Sequence, residues 1–143
     1  MEAQPRTSSW GYIVRVTQPL RTVVLIEDDP HIQRVARLAL ERVGGLEVQI
    51  ASSGEGGIEL VSRSQPDLVL LDVMMPGMDG LTTLAGLRER PETRLIPVVF
   101  LTAKVQRKEV DRLMASGAIG VIQKPFDPMT LAEQVRAIVE GAR

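Results

Sequence analysis

Asp72 closes the apolar run Leu68-Val69-Leu70-Leu71 and stands just ahead of Met74-Met75-Pro76-Gly77-Met78-Asp79-Gly80. A carboxylate placed where a buried strand stops and a loop opens is held at the rim of a sheet, within reach of a cation and a phosphoryl donor. Three other apolar runs lead to polar residues suited to the same chemistry. Glu27-Asp28-Asp29 follows Val23-Val24-Leu25-Ile26, Thr102 follows the run 97–101, and Lys124 comes shortly after the run 118–122. Several carboxylates around one point repel one another unless a cation joins them, and all-oxygen ligation selects a hard ion, Mg2+ first. Such an ion would also screen an anionic nucleophile from an anionic donor. Thr102 can donate its hydroxyl to one phosphoryl oxygen, and Lys124 can set its ammonium on another or on the free carboxylate. The chemistry implied is formation of an acyl phosphate on Asp72.

Five strands alternating with five helices must carry these residues. Residues 23–26 form a continuous β-branched apolar run, too short for a helix and suited to a buried strand. Asp29 and Pro30 predict a helix start, with Ile32, Val35, Ala36, Ala39 and Val43 at helical spacing and Gly44-Gly45 as the stop. Residues 46–50 alternate apolar and polar, which predicts a strand at or near a sheet edge. A helix over 54–63 follows, with Gly56 and Gly57 expected to loosen its start. Residues 68–71 are the next buried strand, and a helix over 80–90 points Leu81, Leu84 and Leu87 inward. Strand 97–101, helix 106–116 with Val110, Leu113 and Met114 in register, and strand 118–122 come next. Asp127 and Pro128 predict the start of a last helix that carries Leu131, Val135, Ile138 and Val139 on one face. This alternation implies an α/β fold of flavodoxin-like, doubly wound type: a five-stranded parallel sheet in the order 2-1-3-4-5. That order places the alternating strand at an edge and the acidic ends of strands one and three side by side.

The bulk properties narrow the function classes. At 143 residues the chain reads as one domain, and 44% hydrophobic against 24% charged residues is too apolar for a disordered chain. The net charge of −1 supplies no general attraction to nucleic acid or anionic lipid. The absence of cysteine excludes disulfides and thiolate metal sites, and a single histidine excludes a multi-histidine zinc site. No apolar stretch approaches the roughly 20 residues a membrane span needs. A cytoplasmic location is the default expectation. Residues 1–20 read as a flexible leader, or as an arm packed through Trp10, ahead of a domain over 21–143. Residues 1–21 carry +2 and the remainder −3.

Taken together, these residues resemble the receiver domain of two-component response regulators, in its single-domain, chemotaxis-regulator-like form, over roughly residues 21–141. The resemblance implies that Glu27 and Asp28 are the acidic pair, with Asp28 the direct metal ligand, and that Asp72 is the phosphoacceptor. It implies that the backbone carbonyl of Met74 completes the Mg2+ shell, that Thr102-Ala103 supplies the switch hydroxyl, and that Lys124-Pro125-Phe126 holds the lysine across a cis peptide bond. Implied partners are a sensor histidine kinase or a histidine phosphotransfer protein, a downstream protein target, and a phosphorylation-dependent homodimer. No direct nucleic-acid contact and no membrane are expected. The sequence stops at Arg143, directly after the last helix, and reads either as a stand-alone regulator or as a piece of a longer one. One departure concerns output. The strand-five position three residues before the lysine is often aromatic in this family, and here it is Val121. An aromatic rotamer therefore cannot report phosphorylation.

Two other readings compete with a phosphoacceptor that is not itself an enzyme. A haloacid-dehalogenase-like phosphatase also uses an aspartyl nucleophile with Mg2+, but it resembles its relatives in a second aspartate two residues on, where this chain has Met74. A pseudo-receiver, a pure interaction module, would lack the intact set Asp28, Asp72, Thr102 and Lys124.

Overall fold

The parity of each strand decides which helices cover which face of the sheet. The structure, a computed structural model, describes residues 19–143 and, before them, the backbone of Arg6–Thr7 and Ile13–Val14. These two short strands pair antiparallel, Arg6 opposite Val14 and Thr7 opposite Ile13. Of the leader expected over 1–20, the other residues up to 18 lie outside the described residues, while Leu20 packs against the core of the domain. Five strands follow: β1 (Thr22–Ile26), β2 (Glu47–Ala51), β3 (Leu68–Asp72), β4 (Val98–Thr102) and β5 (Gly120–Gln123). Their parallel order is β2-β1-β3-β4-β5, as the alternation of sequence patterns predicts. The helices are α1 (Pro30–Leu38), α2 (Gly54–Ser64), α3 (Gly80–Glu89), α4 (Arg107–Ala115) and α5 (Leu131–Gly141).

Val23, Leu25, Leu68, Leu70, Val99 and Leu101 pack with α1 and α5 on one face. Val24, Ile26, Val69, Leu71, Val98 and Phe100 pack with α2, α3 and Leu113 of α4 on the other. Every residue of β3 and of β4 is buried, which fits their unbroken apolar runs. β2 keeps Glu47 and Gln49 exposed at the edge. α4 is lightly anchored: Leu113 is its one buried residue, and residues 103–106 ahead of it are all exposed.

Three expectations need correction. Val43 continues the helical spacing in sequence, yet it is 48% exposed while Leu40 is fully buried. The reason is a π-helical turn at Ala39–Val43, in which the Gly44 N–H donates to the Ala39 carbonyl at 3.2 Å, five residues back. One extra residue in the turn rotates the stripe and turns Val43 to solvent. Asp127 does not cap the last helix. Its carboxylate accepts from the Met129 N–H at 2.9 Å, closing a turn, and the helix begins only at Leu131. The glycines of α2 serve close packing rather than looseness: a Cβ at Gly57 would strike the Ile26 side chain, and one at Gly54 would meet Met78.

The far edge of the sheet, away from the strand ends that carry the acidic residues, is fastened by side chains. The Asp67 carboxylate accepts from the Arg21 and Thr22 amides at 2.9 and 3.0 Å, fixing the start of β1 to that of β3. Arg88 is fully buried and donates to the Arg94 and Ile96 carbonyls at 3.1 and 2.7 Å. Desolvation lowers this guanidinium to about 10.

At the near edge, α3 starts hard against the end of β3. The Gly80 N–H donates to the Val73 carbonyl at 2.9 Å. A Cβ on Gly80 would collide with the Asp72 carbonyl oxygen and come within 2.8 Å of Val73 Cα. Both neighbours are backbone, so no rotamer change relieves the clash. Gly80→Ala is therefore expected to lower stability by about 1–3 kcal/mol, measured by denaturant unfolding. An unchanged midpoint would show that α3 can slide away from β3 at no cost.

Candidate functional site

Buried polar side chains are expensive, so their placement is informative. Of the six buried polar or charged residues among those described, Glu27, Asp72 and Thr102 lie together at the C-terminal strand edge. Asp72 is the last residue of β3 and Thr102 the last of β4, while Glu27 and Asp28 follow β1 directly. Right-handed crossovers bring all these ends to one side, and the strand order reverses between β1 and β3. Carboxylate oxygens of Glu27, Asp28 and Asp72 come within 4.8 Å of one another.

Lys124, one residue beyond β5, crosses over to this acidic group. Its Nζ donates to Glu27 Oε1 at 2.9 Å and to Asp72 Oδ1 at 3.0 Å. The Lys124-Pro125 peptide bond is cis, and the Lys124 N–H donates to the Thr102 carbonyl at 2.8 Å, locking the lysine's backbone to β4. Burial would lower the Lys124 ammonium, but its contacts with Glu27 and Asp72 outweigh that and raise it. The Met74 N–H donates to Asp72 Oδ1 at 3.3 Å, so the loop after β3 folds back over the carboxylate. The Met74 side chain itself is 65% exposed. Thr102 Oγ1 accepts from the Lys104 N–H at 3.0 Å. Its own hydroxyl donates to the Lys104 carbonyl at 3.5 Å, a long bond given up at little cost to a better acceptor.

The sequence-predicted residues Glu27, Asp28, Asp72 and Lys124 are thus brought into one cluster, with Thr102 and Met74 at its border. Asp29 caps α1 through a bond from the His31 N–H at 2.8 Å, and Asp79 caps α3 through the Thr82 N–H at 2.8 Å. That bond lowers the Asp79 carboxyl below its ordinary value. His31 is exposed, and Val121 packs half-buried against the α2–α3 side of the core. Gln33 was missed. Its side-chain amide donates to the Glu27 carbonyl at 2.6 Å and to Ser52 Oγ at 3.1 Å. The signal was available: a polar residue one turn into α1, between the inward Ile32 and Val35, faces back toward the strand ends.

A profile of the family described as response regulator receiver domain matches residues 23–136. The chain belongs to that family. This receiver domain is 38% identical over 117 residues to the DNA-binding dual master transcriptional regulator RpaA of Synechocystis, covering 82% of this chain and 48% of that protein. Among solved structures, the chemotaxis protein CheY4 of Vibrio cholerae superposes with a TM-score of 0.77 at 25% identity, covering 84% of this chain and 99% of that one. The N-terminal domain of a response regulator receiver protein from Methanoculleus marisnigri superposes with a TM-score of 0.67 at 38% identity, covering 86% and 96%. The chain spans about half the length of the curated relatives it matches. It is a signalling domain of the response regulators of two-component systems.

Burial lifts the Glu27 carboxyl from 4.5 to about 7, with the neighbouring Asp72 adding to the rise and Lys124 opposing it. The folded receiver therefore holds this proton more tightly than the unfolded chain does. The stability it contributes is complete below 4.5 and is lost as pH rises through about 7. With a chelator present, the thermal midpoint is expected to fall across that window, and Glu27→Gln is expected to flatten the fall. A midpoint that climbs across the window in the natural protein would reverse the sign argued here.

Proposed function

We propose that Asp72 is the phosphoacceptor of this receiver domain and that the acidic group around it would hold Mg2+. The observation that carries the reading is the Asp72 carboxylate, 2% exposed, with Lys124 Nζ 3.0 Å away and the carboxylates of Glu27 and Asp28 within 4.8 Å. The donor set is all oxygen and anionic, which suits a small hard cation. Glu27, Asp28, Asp72 and the backbone carbonyl of Met74 would hold it. When bound, Mg2+ neutralises charge between the carboxylate and the incoming phosphoryl group.

The donor is the phosphohistidine of a sensor histidine kinase or of a histidine phosphotransfer protein. An Asp72 carboxylate oxygen attacks phosphorus and an O–P bond forms as the N–P bond breaks. The electron pair of that bond returns to the imidazole nitrogen of the donor. Lys124 holds the attacking carboxylate in place and meets the negative charge that the phosphoryl group brings in. Thr102 turns its hydroxyl proton toward a phosphoryl oxygen. The product is a population shift between two conformers that changes affinity for a downstream protein target, with a phosphorylation-dependent homodimer as one form of output. Val121 offers no aromatic ring to report the change, so the β4–α4 segment that begins at Thr102 carries it. No external substrate is turned over: Met74 stands where an aspartyl phosphatase would keep its general acid. The setting is the cytoplasm, without direct contact to nucleic acid or membrane. No helix among the described residues is long and apolar enough to cross a membrane.

The test is incubation with Mg2+ and a small acyl phosphate, followed by mass measurement. One phosphoryl group should be gained, and the gain should be absent in Asp72→Ala and strongly reduced by chelation. A protein that gains no mass, or an Asp72→Ala variant that still does, would refute the assignment.

The lifetime of the product depends on a water approaching in line behind phosphorus. The side chains at Met74 and Lys104, two residues beyond Asp72 and Thr102, are both exposed. Met74 offers a water no useful hydrogen bond. The double variant Met74→Asn/Lys104→Glu is accordingly expected to lose its phosphoryl mass several-fold faster than the natural sequence. Equal decay rates would show that water orientation at these positions does not set the lifetime.

A further inference from the structure

We infer that Gln33 is a positioning residue for the divalent-cation site, acting through the backbone of Glu27 to aim Asp28. The inference rests on the functional reading above and names a residue which that reading does not use. Among the described residues, the Asp28 carboxylate takes no side-chain hydrogen bond, and it is the least buried member of the acidic group. Its direction is therefore set by the backbone that carries it. Two bonds hold that backbone on the Glu27 side. The Glu27 N–H donates to the Ala51 carbonyl at 3.0 Å, and the Glu27 carbonyl accepts from Gln33 Nε2 at 2.6 Å.

The orientation of the Gln33 amide follows from chemistry. A carbonyl oxygen only accepts, so the group facing Glu27 must be the NH2. The second donation from the same nitrogen, to Ser52 Oγ at 3.1 Å, ties α1 to the segment after β2. One neutral amide thus joins the exits of β1 and β2 to α1 at the peptide that precedes Asp28. Without it the Glu27 carbonyl loses its partner, and on the Glu27 side the acidic turn keeps only the bond to Ala51, while on the other side the Asp29 carbonyl still accepts from the Gln33 N–H at 3.0 Å. Groups that orient metal ligands in this way typically change affinity by about 10–100-fold when removed. Gln33 acts through the backbone rather than on the ligand atom, so an effect near the lower end is expected.

Titration of the full chain with MgCl2, followed by the amide shifts of Asp28 and Met74, reads the folded state alone and is not moved by a change in stability. Gln33→Leu, which keeps the side-chain size and removes both donors, should weaken Mg2+ binding by about tenfold. Gln33→Glu separates positioning from charge, since it cannot donate to the Glu27 carbonyl yet adds a negative charge near the cation. Positioning predicts weaker binding in Gln33→Glu and simple electrostatics predicts tighter binding. This variant also decides the matter if Gln33→Leu fails to fold. Wild-type affinity in Gln33→Leu, or affinity at or above wild type in Gln33→Glu, would overturn the inference alone. A natural protein with no Mg2+ response, or an Asp28→Ala variant that keeps it, would overturn the reading of the site and this inference with it.

Discussion

Glu27 and Asp72 are two carboxyl groups withdrawn almost wholly from water, and such a pair ionises together only where a positive charge stands between them; otherwise one member keeps its proton. Lys124 provides that charge from a third strand, and its contacts with both are near 3 Å. The remainder of the domain can be read as what this triangle requires. The partners come from residues separated by 45 and 52 positions, so only a sheet whose strands all run one way brings them together. The apolar strands exclude water from beneath them, which strengthens each electrostatic contact and raises the cost of leaving any of the three unpaired.

The two edges of the sheet divide the labour. At one edge the strands end in carboxylates, a hydroxyl and an ammonium, and the loops beyond them stay open. At the other, side chains close off backbone groups. Asp67 takes the amides before β1, Thr93 donates to the Leu87 carbonyl at 2.6 Å, and Gln65 donates to the Glu92 carbonyl at 2.9 Å. Arg88 completes this edge at the cost of a buried charge, which is visible in its lowered guanidinium. Because the fastening sits away from the chemistry, the acidic edge can hold repelling groups without unravelling the strands.

Sequence pattern revealed the strands and their order because burial on both faces writes a continuous apolar run and a one-sided edge strand writes an alternation. It revealed Asp72, Thr102 and the acidic pair because each stands where such a run stops. The π-turn at Ala39–Val43 was not legible, since one inserted residue leaves the composition of the stripe unchanged and alters only its phase. Asp127 misled because the pair Asp-Pro opens a turn and a helix with the same local bonds, and only the packing of α5 separates them. Arg88 reads as an ordinary surface residue at the end of a helix until the loop after α3 folds its carbonyls onto it. Gln33 escaped notice because, although its place one turn into α1 turns it toward the strand ends, its partners are a backbone carbonyl and a serine, neither of which carries a signature.

The slight anchoring of α4 has a consequence for how the domain breathes. A helix held by one buried leucine, and preceded by four exposed residues, has little apolar area to lose when it detaches. Its amides will exchange with solvent through local opening long before those of β3 and β4, whose exchange must await global unfolding. The lowest-energy excursion of the molecule thus begins in the segment that starts at Thr102, beside the acyl-phosphate chemistry. Displacement of α4 gives up little apolar burial, so a small free energy applied at the strand end is enough to change how often it occurs.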